Sequence, residues 1–225
     1  MPKILKVKSG DDYDKKFENI KKPLLKPPFI FILTGSVRTG KSTILMNLIY
    51  NNAFYHEMFD KIIFISPTVL NDVTLTHLKE DDEVIKIHDD LDDLDGVLKV
   101  IVEEKEKDIK ENDKYYLIIM DDCLGFIKPK SYVSYLCTRY RQRKISLIFS
   151  SQDFRSIPNI IRTNATGYLL FKTTNKREYI KYIEEFEGVF PDFEENYKIA
   201  TKDPYHFLFL DLRHIKAYHD FGDEL

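Results

Sequence analysis

Apolar and polar positions fall in alternating blocks along this chain. Phe29–Leu33 is an unbroken apolar run of strand-forming residues, the pattern of a parallel strand buried on both faces. After a short polar, glycine-containing link, Ile44, Leu45, Leu48 and Ile49 recur at helical spacing and predict a helix from about Lys41 with one buried face. Lys61–Ser66 reads as a second strand, stopped by Pro67. In Glu83–His88 the alternation of Val84, Lys86 and His88 with Ile85 and Ile87 predicts a short, half-exposed strand. Over Asp90–Asn112, Leu91, Leu94, Val97, Leu98, Ile101 and Val102 make one stripe opposite a charged side, a helical pattern that Gly96 weakens. Tyr115–Met120, Ile145–Ser150 and Gly167–Thr173 predict strands, and Ser131–Tyr140 and Lys176–Phe186 predict helices. Tyr205–Leu212 reads as a late strand, with Ile215–His219 as its pairing partner.

Strands and helices in alternation argue an α/β fold, a mostly parallel sheet flanked by helices. A chain of 225 residues accommodates one large domain of this kind, here residues 29–225. Residues 1–28 read as a basic N-terminal extension, a strand and short helix or an arm, set off by Pro23, Pro27 and Pro28. That stretch carries eight lysines against four acids, whereas Lys79–Asp95 carries nine acids against two lysines. From Cys123 to Gln152 there is no acid, yet Lys128, Lys130, Arg139, Arg141, Arg143 and Lys144 fall there. Net charge is only −3, so no global basic field points to a nucleic-acid partner. Any one such run is ordinarily a solvated face. Three of alternating sign suggest a subunit that meets a charged polymer or its own copies. Cys123 and Cys137 lack the spacing of a zinc site and read as free buried thiols of a reducing compartment. No apolar run approaches the ~20 residues of a membrane span, so a soluble intracellular protein is expected.

The polar link itself carries chemistry. Gly35-Ser36-Val37-Arg38-Thr39-Gly40-Lys41-Ser42 fits G-x-x-x-x-G-K-[ST], between a strand and a helix. That context makes the stretch through Thr43 the expected nucleotide-binding set. Glycines let backbone N–H groups curl around a phosphate, and the helix N-terminus adds partial positive charge. Lys41 is expected on the β- and γ-phosphates and Ser42 on Mg²⁺, while the Thr43 side chain packs beside the helix. The LIIM strand ends in Asp121-Asp122, placing Asp121 as a water-mediated Mg²⁺ ligand and Asp122 as the base that polarises the attacking water. A pair of acids capping a turn is the plainer alternative. The next strand delivers Gln152, whose amide can donate to phosphate oxygen and accept from water. The basic run Thr138–Ile145 offers a guanidinium for transition-state charge, though it could equally be a solvated helix end or a phosphate-backbone contact.

Together the P-loop, the LIIMDD strand, Arg141-Gln142-Arg143-Lys144-Ile145-Ser146, the strand ending in Gln152 and Ile157–Asn164 resemble the FtsK–HerA superfamily. The branch is that of the genome-packaging ATPases of large eukaryotic DNA viruses and virophages, related to the poxvirus packaging ATPase. The resemblance covers about residues 29–190. It implies a RecA-like ASCE core, ATP and Mg²⁺ as cofactors, and ATP hydrolysis that drives double-stranded DNA into a preformed capsid. It implies a ring, pentamer or hexamer, acting at a capsid vertex or portal-like protein, in the virion or in a virus factory of the host cytoplasm. The family's finger arginine falls on Arg141. Departures are Asp122, where cellular members usually carry Glu, and Gln142 in place of His, with Arg139 and Arg143 flanking the finger position. Arg162 and Asn164 match a further family feature without an evident role.

Three other readings compete. Asp122-Cys123-Leu124-Gly125 fits the D-x-x-G of a GTPase switch, and Asn175–Glu178 nearly fits N-K-x-D, but its final Glu misplaces the guanine-reading oxygens. A nucleotide kinase would need an arginine-rich lid, and no such insertion is visible. A non-catalytic virion component that binds ATP only to lock a ring is the remaining alternative.

Overall fold

Ile30–Thr34 (β1) is buried at every position because it lies near the middle of an eight-stranded sheet. The structure, a computed structural model, describes residues 15–75, 78, 84–107, 113–128 and 130–225. The other strands are Lys61–Ile65 (β2), Ile85–His88 (β3), Tyr116–Asp121 (β4), Ile145–Ser151 (β5), Gly167–Phe171 (β6), Phe207–Asp211 (β7) and Lys216–His219 (β8). Their order is β3-β2-β4-β5-β1-β6-β7-β8. The first six in this order run parallel, and β7 and β8 complete the sheet antiparallel. One strand, β5, is thus inserted between the P-loop strand and the acidic strand. Register pairs Thr34 with Ser151 and Asp121 with Ser150, so the carboxyl ends of β1, β4 and β5 are level.

Both faces are covered, as parallel sheets require. On one face, helix α1 (Lys41–Tyr50) buries Leu45, Leu48 and Ile49 against Phe29, Phe31 and Leu33. On the other lie α2 (Leu94–Lys107), α3 (Tyr132–Arg139), α4 (Asn159–Asn164), α5 (Lys176–Phe186) and α6 (Phe193–Ala200). Ser131 starts α3 because its hydroxyl accepts the Ser134 backbone N–H.

Most predicted elements are present within a residue or two. Helix α2 starts at Leu94 rather than Asp90, because Asp90 and Asp93 use their carboxylates on the N–H groups of Asp92 and Gly96. Its predicted end at Asn112 lies outside the described residues. Helices α4, of six residues, and α6, of eight, are additions to the predicted elements. Residues 1–14 lie outside the described residues. From Phe17 onward the N-terminal stretch packs on the sheet: Phe17, Ile20, Leu24 and Leu25 are buried in the α1-side core. Tyr55 Oη donates to the Leu25 carbonyl at 2.7 Å, and the Phe17 ring meets Tyr115 edge-on at 4.6 Å. The prolines that read as insulation therefore sit within a packed layer.

Candidate functional site

The turn out of β1 is shaped by two glycines. A Cβ on Gly35 would stand 2.5 Å from the Phe171 Cβ, so only glycine passes this close to β6. Gly40 has φ 104° and caps α1 from the left-handed region. Lys41 is 8% exposed, and its ammonium donates to the Gly35 and Ser36 carbonyls at 2.9 Å each. Burial lowers its pKa, opposed by the charges of Asp122 and Asp121. Thr39 Oγ1 donates to the Ser36 carbonyl at 2.8 Å, and the Ser36 N–H donates to Lys172 of the β6 end at 3.2 Å. The loop is thus tied together by the Lys41 and Thr39 side chains on its own carbonyls.

Beside it stand the acids. Asp121, the last residue of β4, is 4% exposed, and burial pushes its carboxyl up to about 6. The Ser150 hydroxyl opposes that shift, the Asp122 carboxylate adds to it, and Lys41 opposes it again. Asp122 follows in a left-handed backbone, φ 52°, which turns its side chain out of the strand. Its Oδ2 accepts a hydrogen bond from Gln152 Nε2 at 3.2 Å, so the two residues expected to handle the attacking water are in contact. Ser42 Oγ donates to Asp72 Oδ2 at 3.0 Å. Lys41, Ser42, Asp72, Asp121, Asp122 and Gln152 all line one pocket of about 390 Å³ with Val37, Arg38, Gly40, Thr43, Thr74 and Tyr205. Ser42 and Asp121, with Asp72, supply oxygen donors only, the set a hard cation such as Mg²⁺ takes. Thr43 is exposed and lines this pocket, instead of packing beside the helix, because α1 turns that position outward.

Arg139, Arg141 and Arg143 are not in this pocket. Arg141 precedes β5 at the opposite edge of the sheet and lines a separate cavity of about 570 Å³ with Lys22, Lys26, Arg213, His214 and Lys216. Its Nε donates to Tyr140 Oη at 2.9 Å. Arg143 is engaged by Glu106 and by Tyr135 Oη, and Arg139 lies over the Tyr135 ring at 4.2 Å. Of the triplet, Arg141 is the member facing a cavity. Arg162 pairs with Glu185 and covers the Phe154 ring, and Asn164 Nδ2 donates to the Ile160 carbonyl, so both serve local packing of α4. Asn175 is occupied as the cap of α5, its Oδ1 accepting the Arg177 N–H at 2.9 Å, which removes it from guanine reading.

Three pocket residues carried no signal in the sequence. Asp72 and Thr74 come from the loop after β2, where Asp72 Oδ1 accepts the Thr74 N–H at 2.8 Å. Tyr205 comes from the loop before β7. The available clue was positional: loops at the carboxyl ends of parallel strands form the ligand crevice.

A P-loop over an acidic strand end, with a third strand between them bringing an amide, defines a P-loop ATPase with a RecA-like core. The chain belongs to the poxvirus A32 protein family, whose model matches residues 14–185. This bears out the resemblance to the FtsK–HerA packaging ATPases. It is 25% identical over 203 residues to uncharacterized protein 075L of invertebrate iridescent virus 6, covering 80% of this chain and 69% of that one. Its fold is similar to the genome packaging NTPase B204 of Sulfolobus turreted icosahedral virus 2 in complex with ATPγS, with TM-score 0.64 and 18% identity over 86% of this chain and 97% of that one. It is also similar to ATPases 2 and 3 of Thermomonospora curvata EccC, with TM-score 0.57 and 12% identity over 87% of this chain and 37% of that one.

Proposed function

We propose that the protein is a motor that hydrolyses ATP to drive double-stranded DNA into a preformed capsid. The observation that carries the hydrolytic part is the Gln152–Asp122 contact at the mouth of the P-loop pocket. A nucleotide-locking protein needs the P-loop, but not an amide gripping a carboxylate where the γ-phosphate ends. In this reading the loop N–H groups and Lys41 bind the triphosphate, and Lys41 leaves the Gly35 and Ser36 carbonyls to do so. Ser42 and Asp121 would hold Mg²⁺, which when bound neutralises charge on the phosphate oxygens. Gln152 orients the attacking water and Asp122 takes its proton. Family membership and the similarity to B204, a genome packaging NTPase, support DNA as the substrate of the motion. Among the described residues no helix is long and apolar enough to cross a membrane. A site in the virion or a virus factory, at a capsid vertex, accords with this role.

Arg141 acts in trans in this scheme, within a pentameric or hexameric ring. β5 has seven residues, and at ~3.3 Å each they span about 23 Å. Arg141 therefore stands too far from its own Gln152 to touch the same phosphate, but it can complete a neighbour's site.

Steady-state ATP turnover with and without duplex DNA tests the whole reading. Turnover should rise with DNA at low salt, and Asp122→Asn should keep nucleotide binding while losing most turnover. Wild-type turnover in Asp122→Asn removes the base assignment. No response to DNA in a verified oligomer favours the locking role.

A further inference from the structure

The nucleotide pocket is asymmetric. Along the carboxyl edge of the sheet the order β4-β5-β1-β6-β7 puts Asp121, Asp122 and Gln152 on one flank of the P-loop. The loop leading into β7 lies on the other flank. Because the acids and Gln152 define where the terminal phosphate reacts, the phosphate chain must point toward β4 and β5. A nucleotide is linear, so its base leaves the P-loop on the β6–β7 side. Tyr205 stands there. A Cβ built on Gly40 would lie 3.6 Å from both the Cα and the Cβ of Tyr205, and Tyr205 lines the same pocket as Lys41.

Among the described residues Tyr205 is the most exposed tyrosine, ahead of Tyr50 at 38%. It is 72% exposed, while Tyr168, Tyr182 and Tyr197 are buried among other rings. It occupies a left-handed backbone, φ 71°, a region that bulky residues rarely enter. The strain is held by the segment that follows, where Asp220 accepts from the Phe207 N–H at 3.0 Å and also pairs with His206. A large aromatic ring thus stands in water at the mouth of the pocket.

We propose that Tyr205 is the stacking platform for the nucleotide base, with Val37, 62% exposed, as the apolar side chain on the P-loop itself. This rests on the nucleotide-site reading above. Stacking on a tyrosine face supplies affinity for the base and is tolerant of its identity.

These 225 residues contain no tryptophan, so Tyr205→Trp introduces a single reporter into them. Its fluorescence should be quenched by MgATP and left unchanged by magnesium tripolyphosphate, which has the phosphates but no base. Tyr205→Ala should weaken ATP binding about tenfold to a hundredfold and leave tripolyphosphate binding unchanged, and Tyr205→Phe should stay within about twofold of wild type. Equal weakening of both ligands in Tyr205→Ala overturns the proposal, as does wild-type ATP affinity. A smaller oligomer at unchanged ATP affinity does so as well and identifies Tyr205 as a subunit contact. If the wild-type protein binds neither ligand, the nucleotide-site reading fails and this inference with it. Wild-type binding of both with equal affinity sinks only the inference.

Discussion

Asp121→Asn should make the protein more stable at neutral pH while disabling it. The carboxyl of Asp121 is 4% exposed and shifted by burial from 3.8 to about 6. Each unit is worth ~1.36 kcal/mol, so keeping this group ionised in the native state costs up to about 3 kcal/mol. The sign follows from which state holds the proton. Below the unfolded value both states are protonated and there is no penalty. Between about pH 4 and 6 the unfolded chain releases its proton while the native protein keeps it, so wild-type stability falls as pH rises. Above the native pKa the full penalty persists. Asparagine cannot ionise and escapes it; the attraction to Lys41 is already contained in the net shift, so the gain from pH 4 to pH 8 should be up to about 3 kcal/mol. Urea unfolding of both proteins, free of nucleotide and metal, measures the difference at pH 4, 5, 6 and 8. Subtraction cancels every group the two share. A difference that is flat with pH, or that turns against the variant above pH 6, refutes the assignment of a buried, high-pKa carboxyl. Loss of MgATP turnover in the stabilised variant completes the expectation.

Two further outcomes are expected. Lys41→Ala and Arg141→Ala protomers should each be inactive alone, the first through lost triphosphate affinity and the second through lost transition-state stabilisation. Mixing them should restore part of the ATPase activity, because some interfaces pair an intact P-loop with an intact Arg141; no recovery in verified mixed rings returns Arg141 to a cis or DNA-contacting role. Gly35→Ala should destabilise the protein by about 1–3 kcal/mol through overpacking against Phe171, since its methyl group would fall 2.5 Å from the Phe171 Cβ; unchanged thermal stability contradicts the close approach.

The parts of the site that were legible in the sequence are those fixed locally. A P-loop is eight consecutive residues between a strand and a helix, and each expected element is there. Asp121-Asp122 could be read because an unbroken apolar strand runs straight into them. Gln152 needed one more inference, the adjacency of two strands, which the β4–β5 pairing supplies. Asp72 could not be found this way, since its partner Ser42 is 30 residues distant and a loop has no period to betray its direction. Tyr205 likewise gains meaning only when the antiparallel β7 brings its leading loop beside β6. Nor does composition distinguish Arg143, engaged by Glu106, from Arg141, facing a cavity. The Lys- and Pro-rich segment before β1 read as an extension because its lysines and prolines mask Phe17, Ile20 and Leu24, which share the i, i+3, i+7 spacing and are buried with Leu25.

The left-handed turn at Asp122 has an evolutionary corollary. At φ 52° the backbone accepts glycine, asparagine and aspartate far more readily than longer side chains. Glutamate here would load a longer side chain onto a left-handed residue. Asparagine and glycine carry little backbone penalty there. In the proposed scheme, where Asp122 is the base, drift at this position leads more easily to a folded protein without that base than to one with a longer base. Paralogues of this chain that have abandoned hydrolysis should carry their signature here, in an otherwise intact P-loop domain.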